Sequence, residues 1–164
     1  MLMKNLRVTF FATLMLSLTT FAVQADESKQ KVVDDYTIHF NTVNTDMLTP
    51  EVAKTYNIVR SKNRAFLNVS VRKKLANPVE GGMPDEAVTA NIVVKAANLV
   101  GQDKGVEMRK IEETDKDGKV NAIYYIGVFS IANDETIKFT ITVDPEAQGK
   151  ATEIKFKQDF YIDN

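Results

Sequence analysis

From Tyr36 onward the chain alternates with a period of two. Tyr36, Ile38 and Phe40 take every second position, with Thr37, His39 and Asn41 between them. A period of two puts aromatic and branched side chains on one face of a strand and polar ones on the other. The pattern recurs at Ala65, Leu67, Val69 and Val71, set against Phe66, Asn68, Ser70 and Arg72. It returns at Val88, Ala90, Ile92, Val94 and Ala96, then at Ile137, Phe139, Ile141 and Val143. The last run is Ile154, Phe156, Gln158, Phe160 and Ile162. Between these, Val106 and Met108 are in phase but Ile111 is not, which a bulge near Arg109-Lys110 would repair. Val120 to Phe129 is apolar at nearly every position, as expected of a central strand covered on both sides or at one end.

Seven strands follow, and the residues between them suit turns. Asp115-Lys116-Asp117-Gly118-Lys119 reads as a hairpin whose Gly118 takes the positive φ. Asp144-Pro145 ends one strand, and Gly149 lies in the turn to the next. Asn77 to Pro84, with Gly81-Gly82, forms the longest predicted loop. One helix is expected, with Thr49 as cap, Pro50 first, Glu51 at the positive end and about two turns to Tyr56. The predicted architecture is all-β: an immunoglobulin-like antiparallel β-sandwich of about seven strands with one short helix, and a closed barrel as the alternative.

Residues 1–25 read as a secretory signal. Lys4 and Arg7 precede an apolar run from Val8 to Leu18, and Val23-Gln24-Ala25 offers small residues at positions −3 and −1. The run is short for a membrane span. Cleavage after Ala25 leaves a single domain, 26–164, expected to be periplasmic and not membrane-spanning once the signal is removed. With no cysteine in the sequence, stability must come from packing and not from disulfides. Removing Lys4 and Arg7 moves the formal charge from −1 to −3, against a nucleic-acid partner.

The inventory also restricts chemistry. Without cysteine there is no thiolate nucleophile or thiolate metal cluster, so no cofactor and no metal site are expected. The single histidine, His39, reads as a half-exposed strand residue on a polar face. Ser70-Val71-Arg72-Lys73 fits S-x-x-K, but residues three apart on a strand face opposite ways, and the Ser61-Lys62-Asn63 element comes in the wrong order. Asp115 and Asp117 match half of a calcium loop without its distal glutamate, so a turn is the better reading.

The segment Tyr56-Asn57-Ile58-Val59-Arg60-Ser61-Lys62-Asn63-Arg64 is the most unusual. In extended backbone Arg60, Lys62 and Arg64 would project to one side and could hold carboxylate or phosphate groups. The competing reading is a solvated approach to a strand, or an arginine satisfying buried carbonyls. Tyr56, Arg60, Lys62, Asn63 and Arg64 are the candidate ligand- or partner-binding residues; no catalytic residue is assigned.

The signal segment, the run Asn44-Thr45-Asp46-Met47-Leu48-Thr49-Pro50-Glu51-Val52-Ala53, the string Arg60-Ser61-Lys62-Asn63-Arg64-Ala65 and the closing Gln158-Asp159-Phe160-Tyr161 resemble the domain of unknown function 4426 family of short exported gammaproteobacterial proteins. The resemblance spans the mature chain and implies a periplasmic β-sandwich, but brings no catalytic or ligand residues with it. The expected function is a non-enzymatic periplasmic binding module whose partner is another envelope protein or an anionic ligand. The alternative is a small-ligand carrier or weak hydrolase with a pocket near Arg60–Arg64, lined by Tyr124, Tyr125 and Phe129.

Overall fold

The computed structural model describes residues 29–78 and 80–162. The expected signal and its cleavage site lie outside the described residues. Among the described residues there are nine strands: β1 (Gln30–Val33), β2 (Tyr36–Asn44), β3 (Arg64–Lys74), β4 (Asp85–Ala87), β5 (Ala90–Asn98), β6 (Arg109–Thr114), β7 (Val120–Ser130), β8 (Glu135–Pro145) and β9 (Thr152–Phe160). A 3₁₀ turn (Thr45–Met47) and a helix α1 (Pro50–Thr55) join β2 to β3.

All pairing is antiparallel, in two open sheets. One runs β1-β2-β3-β7-β6, with β4 also on β3; the other runs β5-β8-β9. Without β1 and β4, four strands β2-β3-β7-β6 face three strands β5-β8-β9. That is the four-plus-three order of a constant-type immunoglobulin sandwich, and the barrel alternative is not realised. The seven predicted strands are all present. The two additions are short: β1 pairs with β2 in a hairpin turning at Asp34, and β4 takes up the edge of β3 beyond Val69, where β7 leaves it. The irregularity expected near Arg109-Lys110 falls at Glu113/Thr114 instead.

Apolar side chains from both sheets pack between them. Ile38, Leu67, Val69, Val71, Ile137, Phe139, Ile141 and Val143 are fully buried there. Phe139 stacks on Phe156 at 4.8 Å and meets Phe129 edge-on at 5.5 Å, and Phe129 meets Phe160 at 5.7 Å. Gly127 lets the chain before β6 tuck in beside β7: a Cβ there would stand 2.6 Å from both Met108 Sδ and Val106 Cγ1. Asp115 closes the β6–β7 hairpin, its Oδ1 accepting from the Asp117 and Lys119 N–H groups at 2.9 Å, and Gly118 takes φ +79°. Among the described residues no helix is long and apolar enough to cross a membrane.

A second, smaller core lies on the other face of the first sheet. Phe66, Ile58 and Ile126 are buried in it, with Val43, Leu48, Tyr56, Ile111, Tyr124 and Val128 packed around them. Ile111 therefore breaks phase with Val106 because it faces this second core. Phe66, read as solvent-facing from its phase, is only 8% exposed.

Candidate functional site

The second core exists because α1 covers it. A six-residue helix does not persist alone, so its ends must be fixed. Thr49 Oγ1 accepts from the Val52 N–H at 3.3 Å, and Pro50 opens the first turn. At the other end Asn57 takes φ +50°. The Ile58 N–H then donates to the Ala53 carbonyl at 2.8 Å and the Asn57 N–H to the Lys54 carbonyl at 3.1 Å, which is a Schellman motif. Ile58, the closing residue of that motif, is buried against the sheet.

Side chains then tie the flanking segments together. Thr45, fully buried, donates through Oγ1 to the Ser61 carbonyl at 3.0 Å and accepts the Ser61 N–H at 2.9 Å. Arg60 Nη2 donates to the Asp46 carbonyl at 2.8 Å. Arg109 Nη2, from β6, donates to the Tyr56 carbonyl. The Tyr56 hydroxyl donates to Glu113. That bond, then burial and the nearby carboxylate charge, push the phenol up to about 12. At neutral pH Tyr56 is a fixed hydrogen-bond donor.

Of the candidate residues, Tyr56 caps the helix and Arg60 spans back to the 3₁₀ turn. Lys62 and Asn63 form a turn, so the extended row of Arg60, Lys62 and Arg64 does not occur. The Asn63 carbonyl accepts the Ile131 N–H at 3.0 Å, and Arg64 starts β3. Arg60 does serve a backbone carbonyl, but an exposed one and not the buried one expected. The expected pocket wall of Tyr124, Tyr125 and Phe129 does not form. Adjacent strand residues face opposite ways: Tyr125 and Phe129 belong to the inter-sheet core, where the Tyr125 hydroxyl accepts the Ala90 N–H at 2.8 Å.

A hollow of about 150 Å³ lies between α1 and the sheet. Leu48, Val52, Tyr56 and Ile58 form its roof; Phe66, Asn68, Tyr124 and Ile126 form its floor. Asn68 Oδ1 is buried and has no hydrogen-bond partner. Asn68 and Arg109 are the residues that sequence reasoning missed. Asn68 sat in a polar phase that read as solvent-exposed, and Arg109 matters only through a partner 53 positions away.

The opposite end of the sandwich carries a polar cluster. Lys73 Nζ (2.6 Å) and the Tyr36 hydroxyl both donate to Glu146, which lies in a turn where Glu146 and Ala147 have positive φ. The Lys73 and Tyr36 hydrogen bonds hold the Glu146 carboxyl low, and Glu146 in turn raises Tyr36 and Lys73. Each group is fixed in its ordinary charge state, so the cluster ties a turn to the sheet. Among the described residues no three His, Cys, Asp or Glu side chains are grouped to hold a metal.

Fold and site together define a two-sheet, immunoglobulin-type sandwich with a helix-covered apolar hollow on one outer face. The chain belongs to the DUF4426 family, a domain of unknown function, whose model matches residues 30–163. A crystal structure of a DUF4426 family protein from Pseudomonas aeruginosa is similar to it at 28% identity, with a TM-score of 0.63 over 82% of this chain and 95% of that one. A yeast GGA1 GAE domain aligns over 82% of this chain and 99% of its own at 9% identity and a TM-score of 0.35, too distant to bear on the argument. No curated protein matches the chain.

Proposed function

We propose that this protein is a non-enzymatic binding module of the bacterial periplasm. Residues 1–25 export it, and its α1 face, with the adjoining Arg60–Arg64 segment, holds another envelope protein. The observation that supports this is the hollow under α1. Its roof residue Val52 and the neighbours of two others, Met47 and Val59, are exposed apolar side chains, and Arg60 and Arg109 bracket the helix. Apolar surface beside arginine is the composition that recognition surfaces favour.

The test is affinity capture from envelope extract with the tagged full chain, beside an Arg60/Lys62/Arg64→Glu variant that still folds. A specific protein retained by the native chain and lost from the variant is expected; equal retention by both would refute the face. Cell fractionation with N-terminal sequencing should find the chain in the periplasm beginning at Asp26, and a cytoplasmic, uncut chain would remove the address. The hollow also favours a second reading, a small-ligand carrier, for which the same capture would return no protein. In the hydrolase form of that reading Tyr56 could not act as a base at neutral pH.

A further inference from the structure

The second sheet stops one strand short of the first. β2 faces β9, with the Phe40 and Phe156 rings 5.1 Å apart, and β7 faces β5, with the Tyr125 hydroxyl on the Ala90 N–H. Past β7 the first sheet carries β6, and among the described residues no strand of the second sheet lies over it. Lys110 and Glu112 show the consequence. They stand opposite Tyr125 and Ile123 in register and so share the inward face, which a sandwich normally covers. Their ion-paired side chains are nevertheless 47% and 42% exposed.

The edge of β5 borders this vacant position. The Thr89 carbonyl accepts the Glu146 N–H at 2.8 Å, so odd positions of β5 serve β8. Even positions point the other way: the Ala96 carbonyl accepts the Lys104 N–H at 2.9 Å, and the Asn98 N–H donates to the Gln102 carbonyl at 3.1 Å. Between Ala90 and Ala96, the N–H and C=O groups of Ile92 and Val94 meet no partner among the described residues. The chain leaves β5 after a single bridge, Ala97 to Asp103, and a groove of about 590 Å³ opens there beside Val94, walled by Gly105, Val106 and Glu107. The open edge of β9, by contrast, carries Glu153, Lys155, Lys157 and Asp159 and is crossed by Lys31 Nζ, which donates to the Glu153 carbonyl at 2.7 Å. Charges of that kind block strand addition, whereas β5 holds one, Lys95, beside an exposed Val93.

Backbone groups two residues apart on one edge are answered by extended chain. A second copy cannot bring its own β5 edge here, because both first sheets reach one strand past β5 and would claim the same layer. Nor does this chain's own start reach: Lys29 lies against Phe40 of β2, and once the leader is cut as proposed, Asp26 to Ser28 span about 10 Å. The distance from β2 to β6 is about 14 Å. Lys95 has no ion pair among the described residues. We propose that the vacant position takes an extended segment of an envelope partner as an added antiparallel strand. It bonds Ile92 and Val94, turns apolar side chains inward and sets an acid opposite Lys95. This edge is a second interface, apart from the α1 face.

The test uses ¹⁵N-labelled exported protein and the blocked hexapeptide Glu-Val-Thr-Val-Thr-Val, whose valines stand opposite Val94, Ile92 and Ala90 and whose glutamate faces Lys95. In the free protein the Ile92 and Val94 amides should exchange with solvent faster than those of Val93 and Lys95, which bond β8. The peptide at millimolar concentration should slow Ile92 and Val94 by about tenfold or more. N-methylation of its first and second valines, whose N–H groups face β5, should weaken binding by about tenfold or more. N-methylation of the threonines, whose N–H groups face away, should not. Lys95→Glu should weaken this peptide and favour one that begins with lysine. Equal loss from the two methylation patterns would refute strand addition, and so would unchanged exchange at Ile92 and Val94. Slow exchange of both amides in the free protein would also overturn the proposal: if it depends on protein concentration a second copy fills the edge, and if not the edge is already closed. None of these outcomes bears on the α1 face, which the envelope capture tests separately.

Discussion

Phe66→Ala and Leu67→Ala, made separately, test whether the first sheet is buried on both faces. Leu67 is 0% exposed in the inter-sheet core and Phe66 8% exposed beneath α1. Leu67→Ala should cost about 3–5 kcal/mol, the transfer term plus the cavity left in a dense core. A fully enclosed Phe→Ala change costs about the same, but Phe66 already borders the hollow of about 150 Å³ and has fewer contacts to lose. For Phe66→Ala we expect about 2–3 kcal/mol. With a urea m-value of about 2 kcal/mol/M, the midpoints should fall by roughly 1–1.5 M for Phe66→Ala and 1.5–2.5 M for Leu67→Ala. The assay is equilibrium urea unfolding followed by far-UV circular dichroism. Simple alternation puts Phe66 in solvent and predicts almost no change, so a Phe66→Ala shift under about 0.3 M would refute the seating of α1 and remove the hollow with it.

Gly127→Ala should destabilise by about 1–3 kcal/mol, because its methyl group would stand 2.6 Å from Val106 Cγ1 and Met108 Sδ; an unchanged melting curve would show that the 106–108 segment is not tucked beside β7. Glu135→Gln should cost about 3 kcal/mol by leaving the buried Lys104 ammonium, 2.6 Å away, without its counterion. Burial alone would raise the Glu135 carboxyl, but hydrogen bonds from Lys104, Asn98 and the Ala132 N–H outweigh it and hold it below the usual 4.5. Its contribution is therefore complete above pH 4.5 and lost as pH falls through the folded value, so below pH 4.5 the gap between native and variant should narrow. In a spectrophotometric titration Tyr56 should ionise near 12, and Tyr56→Phe should delete that step; because the folded value is raised, its stabilisation is complete below pH 10 and lost between 10 and 12. His39→Ala should leave the melting temperature nearly unchanged, and a large loss would mean that this half-buried strand residue packs more tightly than its exposure implies.

The sandwich was legible because period-two alternation reports burial directly where one face of a strand meets a core. Five of the seven runs carried that signal cleanly, and the cap Thr49-Pro50 with its two turns to Tyr56 marked the helix. The signal failed where a strand is covered twice. Phe66 and Ile111 have the phase of solvent-facing residues, yet both pack under α1. Val120 to Phe129 did report double coverage, since β7 runs through the middle of the first sheet between β3 and β6. Nothing local says what does the covering. Tyr56-Asn57-Ile58 held an unused clue, an asparagine able to take left-handed backbone followed by an apolar residue, the signature of a helix end folded back on its support.

The basic segment shows why charge patterns mislead at this range. Three cations in five residues look like a site when the backbone is taken as extended, because alternate side chains then share a side. The turn at Lys62–Asn63 breaks that geometry, and it forms for reasons outside the segment: Thr45 grips Ser61, and β7 runs on into Ile131, whose N–H finds the Asn63 carbonyl. What survives is Arg60, paired across the helix with Arg109 from a strand that is remote in sequence. Both guanidiniums rest on carbonyls, Arg60 with the Glu51 carboxylate within reach of its charge, so an arginine stands at each end of α1. A helix placed there only to shield Phe66 and Ile126 could have been closed with any neutral donor, and its underside could have been filled. An unfilled hollow bracketed by two arginines fits a surface shaped for a second molecule better than one shaped for the fold alone.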